Sequence, residues 1–169
     1  MRRWNGWGDA ATVVELPAHG EAFLAARIGA GRPLADADLP SVLARVPASR
    51  LAAEALPADG LIVTAAEDRV RHARGQSLAD WLAMREGAFG VFPDGVAYPQ
   101  TAGQIRQLLA WAAERDVLVI PYGGGTSVAG HINPQPGEKP VLTLSLERMN
   151  RLLELDEQSL IATFGPGAN

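Results

Sequence analysis

Residues 96–120 constrain the fold of this chain more than any other stretch. Val96-Ala97-Tyr98 is a short apolar run ended by Pro99. Thr101-Ala102-Gly103-Gln104 then has the spacing of a capping box, in which hydroxyl and amide satisfy each other's free backbone N–H groups. Ile105, Leu108, Leu109 and Ala112 follow at i, i+3, i+4 and i+7, the stripe of an amphipathic helix. Asp116 ends it, and Val117-Leu118-Val119-Ile120 is a wholly apolar run, as expected of a strand covered on both faces. Strand, helix, strand in that order predicts a βαβ unit, with its strands parallel and a right-handed crossover. Further on, Leu142, Leu144 and Leu146 alternate with Thr143 and Ser145, predicting a half-buried strand. Leu152–Leu155 and Leu160–Phe164 flank Asp156-Glu157-Gln158-Ser159, predicting a hairpin.

The first 90 residues are less regular. Residues 18–29 predict a short helix ending near Gly29 or Gly31, and residues 39–46 a second one carrying Leu39, Val42, Leu43 and Val46. Leu61-Ile62-Val63-Thr64, after Asp59-Gly60, reads as extended. Ser77-Leu78-Ala79-Asp80 opens another helix, with Leu78, Trp81 and Leu82 as its expected apolar face and Gly87 as its stop. This half is expected to be mostly helical with many breaks.

Composition removes several classes of function. The chain of 169 residues has no cysteine, which excludes disulfides, thiolate metal sites, iron–sulfur clusters and cysteine nucleophiles. Fifteen basic against 19 acidic residues give a net charge of −4, which argues against nucleic acid or an anionic membrane as the main partner. No run of 18 apolar residues is present and the N-terminus lacks an apolar signal core, so the expected compartment is the cytoplasm. The one basic cluster, Arg69 to Arg74, reads as a solvated helix face or a set of ion-pair partners, with Glu67 or Asp80 opposite Arg71 and Arg74. His19, His72 and His131 are too scattered for a metal site, and Asp36, Asp38, Glu67 and Asp68 read as cap or loop residues. Trp81 and Trp111 are expected in the core, with Trp4 and Trp7 clamping the N-terminus.

Pro121-Tyr122-Gly123-Gly124-Gly125-Thr126-Ser127 follows the apolar run directly. Three glycines permit positive φ and a close ligand approach. Successive N–H groups can converge on an anion, with Thr126 and Ser127 adding hydroxyls. No lysine is near, so P-loop ATP hydrolysis is unsupported, and the pattern is not Gly-x-Gly-x-x-Gly. On the loop alone, a pyrophosphate cradle and an empty flexible turn are equally compatible with the residues.

Several motifs in order carry a more specific resemblance. These are Arg3-Trp4-Asn5-Gly6-Trp7-Gly8, Arg71-His72-Ala73-Arg74-Gly75-Gln76-Ser77, Met84-Arg85-Glu86-Gly87, Phe92-Pro93-Asp94, Ile120 to Val128 across the glycine run, and Met149-Asn150-Arg151. Together they resemble the alkyldihydroxyacetonephosphate synthase branch of the FAD-binding family of vanillyl-alcohol oxidase and p-cresol methylhydroxylase (PCMH), while residues 18–60 match only loosely. The resemblance implies an α+β fold, α/β in its second half. A helical segment, 1–90, would precede the first lobe of a PCMH-type FAD domain, 91–169, a small parallel sheet with helices. It implies that Pro121, Tyr122, Gly123, Gly124, Gly125, Thr126 and Ser127 contact the FAD diphosphate. Covalent-flavin members often carry a histidine in or beside this loop; Thr126 and Ser127 stand there, so non-covalent FAD is expected. The family's chemistry is either exchange of acyl for alkyl through a flavin–substrate adduct or oxidation of 2-hydroxy acids, on a small-molecule substrate. A homodimer is compatible with it. Family members continue past the segment resembling Phe164-Gly165-Pro166-Gly167, so the chain is expected to hold part of the FAD domain and to lack the catalytic residues of the substrate domain. Two other readings stay open: a non-catalytic fragment or interaction module that needs a second chain, and a generic phosphate-binding α/β domain.

Overall fold

The computed structural model describes residues 3–31, 34–53, 56–57 and 60–168. Asp59 of the expected Asp59-Gly60 turn lies outside the described residues, as do Arg2 and Asn169. The first half is a series of short helices. α1 (Ala18–Ile28) ends at Gly29 and buries none of its residues, leaving Phe23 and Ile28 exposed. α2 (Leu39–Leu43) begins at Asp38, whose carboxylate accepts from the Ser41 N–H, and buries Val42. Strand β1 (Ile62–Val63) precedes α3 (Ala66–Arg71) and α4 (Leu78–Glu86). Val42, Val70, Ala73, Met84 and Phe89 gather α2, α3 and α4 into one small core, with Trp4 packed against it.

α4 opens and closes as its residues require. The Ser77 hydroxyl oxygen accepts from the Asp80 N–H, the Asp80 carboxylate accepts from the Ser77 N–H, and Gly87 closes the helix in the left-handed region at φ 68°. Its buried face, however, is not the expected one. Leu78, Trp81 and Leu82 are exposed, and Asp80 and Met84 are buried. Polar bonds made by Asp80 set the rotation of this helix, so its apolar stripe faces outward. Trp81 is therefore not core; its indole N–H donates to Gln76 Oε1 at 2.6 Å. Trp111 does pack against the core, Trp4 stacks on Phe89, and Trp7 is exposed. The basic cluster divides as well. Arg71 pairs with Glu67 at 2.7 Å and Arg74 with Asp80 at 3.6 Å, as expected, but Arg69 is buried and donates to the Pro93 and Pro47 carbonyls.

β2 (Gly95–Ala97), α5 (Ala102–Glu114) and β3 (Leu118–Tyr122) form the expected strand–helix–strand, followed by β4 (Val141–Ser145). The α5 start is half of a capping box: Thr101 Oγ1 accepts from the Gln104 N–H, while Gln104 Oε1 takes the N–H of Gln100, one residue further back. The sheet order is β1-β2-β4-β3, with β1 antiparallel to β2 and the other neighbours parallel. β2 and β3 are thus parallel but not adjacent, because β4 lies between them. This reverses two burial expectations. β3 is an edge strand, and Leu118 is 50% exposed; β4 is buried at all five residues, Thr143 and Ser145 included. Leu142 and Leu144 join Leu108 and Ala112 of α5 in the main core. β5 (Leu152–Asp156) and β6 (Ile161–Phe164) form the expected hairpin, pairing with each other alone among the described strands and exposing their large apolar side chains. Asp156 fixes its turn by accepting from the N–H groups of Gln158 and Ser159.

Asp94 joins the two halves. One carboxylate oxygen accepts from the Arg50 backbone N–H and Nε at 3.0 and 2.9 Å, the other from Arg50 Nη2 at 2.8 Å and the Val141 N–H at 2.7 Å. Burial pushes the Asp94 carboxyl up, but these hydrogen bonds and the Arg50 charge outweigh it and hold the group below the usual carboxylate range. A carboxylate depressed in the folded state stabilises fully above its unfolded pKa, about 4, and loses that contribution as pH falls through the folded value. Asp94→Ala is therefore expected to cost roughly 2–4 kcal/mol at pH 7, since it strands buried donors. Urea midpoints of variant and parent should converge as pH falls below about 4.

Candidate functional site

Three parallel strands, β2, β4 and β3, end on one side of the sheet, where open α/β sheets place their ligands. The segment after β3 is the glycine run. Tyr122 anchors its start: the side chain is buried, its ring centroid lies 4.6 Å from that of His72, and its carbonyl accepts from the Leu146 N–H at 2.9 Å. The chain then surfaces. Gly123, Gly124 and Thr126 are exposed, Ser127 is half-buried, and Gly125 is buried at φ 71°. Pro121 is exposed at the sheet edge.

Two observations show what this loop can hold. Among the described residues, no acceptor takes the backbone N–H groups of Gly123 through Ser127. A Cβ on Gly123 would meet nothing nearer than the Pro166 carbonyl at 4.0 Å, and one on Gly124 nothing nearer than Thr126 Cγ2 at 3.7 Å. The two exposed glycines thus border open space, with consecutive donors and no side chain in the way. Unpartnered N–H groups beside open space suit an acceptor-only group such as a diphosphate, whose charge backbone N–H dipoles can meet in place of lysine.

The loops after the other two strands shape the neighbouring surface. A cavity of about 560 Å³ is lined by Gln100, Glu147, Arg148, Asn150 and Gly167. The Arg148 guanidinium lies 4.7 Å over the Tyr98 ring. Burial first, then the hydrogen bond to the Asp68 carboxylate, raises the Tyr98 phenol well above its ordinary range, so it stays protonated and serves as a donor at neutral pH. Gly165 and Gly167 lie directly on the backbone of residues 146–149, where a side chain on either would overlap a main-chain carbonyl. None of these cavity residues was singled out as a ligand contact by the sequence patterns; Arg148 and Glu147 sit in a stretch with no recognisable site spacing.

The back of the loop is held by the segment between α3 and α4. The Gln76 N–H donates to the Ser127 carbonyl at 2.6 Å, and the Gly75 N–H to Asn133 Oδ1 at 2.9 Å. A Cβ on Gly75 would overlap the Ser127 carbonyl oxygen. Ser127 Oγ and His131 Nδ1 are 3.2 Å apart, within the loop itself. Among the described residues no group of three His, Asp or Glu could hold a metal, and no helix is long and apolar enough to cross a membrane.

Residues 93–169 match the family described as FAD binding domain. That match spans 77 of the 169 residues, so it is the second half of the chain that is similar to an FAD-binding domain. Its cofactor is FAD. Over 98% of the chain it is 27% identical to an alkyldihydroxyacetonephosphate synthase from Trypanosoma brucei brucei, and covers 32% of that protein. A synthase of the same name from Dictyostelium discoideum is 30% identical over 59% of the chain, covering 16% of its own length. The glycolate oxidase subunit GlcD of Bacillus subtilis is 37% identical over 44% of the chain and 15% of its own length. A solved alkyldihydroxyacetonephosphate synthase superimposes on 95% of the chain with a TM-score of 0.77 at 22% identity, using 35% of that structure; it shows the fold. The chain thus spans about a third of the first of these relatives. The α+β fold and FAD cofactor implied by the sequence motifs are both borne out.

The packing behind the loop makes a direct test. Gly75→Ala should lower stability by roughly 1–3 kcal/mol, because a Cβ there must displace main chain, whereas Gly123→Ala should change it by less than about 0.5 kcal/mol. Thermal and urea unfolding of the two variants checks the contrast.

Proposed function

We propose that Pro121 to Ser127 hold the diphosphate of FAD non-covalently, through the free N–H groups of Gly123 to Ser127 and the hydroxyls of Thr126 and Ser127. The observation that supports this most directly is the run of donors without acceptors beside two uncrowded glycines at the strand ends. The cavity lined by Gln100, Arg148 and Asn150 adjoins the same end of the sheet and is where the cofactor would extend. The flavin supplies the redox or group-transfer chemistry when bound, and the polypeptide's part is to bind and orient it. Thr126 and Ser127 offer hydroxyls but no imidazole for attachment, and Tyr98, kept protonated with its O–H committed to Asp68, does not act as a base.

The whole protein's activity that fits these relatives best is that of an alkylglycerone-phosphate-synthase-type flavoprotein, because the similarity to a synthase runs along nearly the full chain while that to GlcD is confined to less than half. Oxidation of a small 2-hydroxy acid is the alternative activity. Residues 1–90 would serve as a helical segment and 91–169 as part of the FAD domain, in the cytoplasm. The exposed leucines of the β5–β6 hairpin favour a second reading alongside this one, in which further polypeptide must cover the hairpin before FAD is held tightly.

Titration of the chain with FAD is expected to give a saturable change in flavin fluorescence and a cofactor released intact on acid precipitation. Gly124→Val should weaken that binding at least tenfold with an unchanged far-ultraviolet circular dichroism spectrum, since its side chain would occupy the open cradle. A parent protein that leaves flavin fluorescence unaltered would remove diphosphate binding by this chain alone and leave only the reading in which added polypeptide must first cover the hairpin.

A further inference from the structure

Asp80 has two jobs, and a helix cap explains one of them. Its Oδ2 accepts from the Ser77 hydroxyl at 2.6 Å and the Ser77 N–H at 3.3 Å, closing the start of α4. Its Oδ1 accepts from Asn133 Nδ2 at 2.6 Å and faces Arg74 Nη1 at 3.6 Å. Asn133 lies 53 residues away in sequence, just past the glycine run, and returns its own Oδ1 to the Gly75 N–H at 2.9 Å. The Asp80 side chain is buried, so these bonds operate with little competition from water. A cap needs one carboxylate oxygen; the second is committed to a different part of the chain.

The consequences meet at the loop. Segment 74–80 grips the 123–133 loop at two points: Asn133 through Asp80 and Gly75, and Ser127 through the Gln76 N–H. The missing side chain of Gly75 is what lets the Ser127 carbonyl come in. Between these grips and the buried Tyr122, the N–H groups of Gly123 to Ser127 have no acceptor among the described residues to order them. The backbone conformation of this run is therefore held from its ends. Preorganised donors bind an anion more tightly than donors that must first be ordered, because the conformational entropy has already been lost on folding.

Resting on the diphosphate assignment above, we propose that Asp80 and Asn133 are positioning residues for the cofactor loop: a buried carboxylate–carboxamide clasp that holds Gly123 to Ser127 in the binding conformation without itself touching FAD. The clasp has a reciprocal form, reached by combining Asp80→Asn with Asn133→Asp. The carboxamide now at position 80 can accept from Ser77 through its carbonyl and donate through its amide to one oxygen of the carboxylate now at position 133. The other oxygen of that carboxylate can accept from the Gly75 N–H. The hydrogen bonds to Ser77, between positions 80 and 133, and to Gly75 are remade, while the 3.6 Å ion pair of position 80 with Arg74 is given up as the charge moves across the clasp. Asn133→Asp alone would set a second carboxylate against Asp80, with like charges facing each other.

The test uses the 169-residue chain. It compares the parent, Asn133→Ala, Asn133→Asp, and the double variant Asp80→Asn with Asn133→Asp. Backbone ¹⁵N order parameters across residues 123–133 report the loop without cofactor, FAD titration reports binding, and circular dichroism with thermal melting reports the fold. In the two single variants, order parameters across Gly123–Ser127 are expected to fall and FAD affinity to weaken at least tenfold, with the helical signal retained; the double variant should restore both. Order parameters unchanged in Asn133→Ala overturn the clasp whether or not FAD binds. Lowered order with unaltered FAD affinity, or a double variant no better than Asn133→Asp, overturns it equally. A parent that fails to bind FAD counts against the diphosphate assignment, and the order parameters still decide the clasp.

Discussion

A single buried carboxylate holds the two halves of this chain in register. Asp94 stands at the foot of β2 and exchanges bonds with Val141, its N–H donating to the Val141 carbonyl and its carboxylate accepting the Val141 N–H. That contact sets β4 beside β2. The same carboxylate takes the backbone and guanidinium of Arg50, and Arg50 Nη1 goes on to the carbonyls of Gly137 and Glu138 in the loop that leads into β4. Desolvating a carboxylate is costly, and four donors are what make it tolerable. Once β4 lies between β2 and β3, the three parallel strands end together and the three following loops converge.

Convergence of those loops is the functional content of the fold. The glycine run alone is a flexible peptide, and its N–H groups could point anywhere. Tyr122, buried against His72, fixes where the run begins, and the contacts of Gln76 and Asn133 fix where it ends. The helical first half therefore has a role beyond its own small core. The turn between α3 and α4 braces the back of the glycine loop, which explains why Gly75 must lack a side chain. It also explains the rotation of α4: Asp80 faces inward to reach Asn133, so Leu78 and Leu82 face out.

Much of this was legible from residue patterns. Caps, glycine stops and periodic stripes are local, and the helices at residues 18–28, 39–43, 78–86 and 102–114 and the 152–164 hairpin follow from them. The glycine run was legible as a loop after a strand that either a pyrophosphate or nothing could occupy, and its neighbouring motifs as signs of a flavin family. Burial was less legible. Val117–Ile120 is more apolar than residues 141–145, yet it leads into an edge strand, because burial depends on sheet order and order is set by pairings distant in sequence. Arg69 looked solvated for the same reason: the carbonyls that accept from it belong to Pro47 and Pro93. The cavity residues Gln100, Arg148 and Asn150 share no spacing that could reveal them, since they come from loops after different strands.

The division follows from the range of the forces involved. Backbone propensity, capping and the conformational freedom of glycine act over a single turn of chain, so the sequence by itself determined which segments are helices, strands and turns, and that a donor-rich loop follows a strand. Which face of each element is buried, which strand is central, and which side chains meet at the loop depend on contacts between residues far apart in sequence. Arg50 and Asp94 are 44 positions apart, and Asp80 and Asn133 are 53 apart. Those contacts were decided only when the tertiary structure brought their partners into the same unhydrated space, where leaving a polar group unpaired costs more than reorienting a helix.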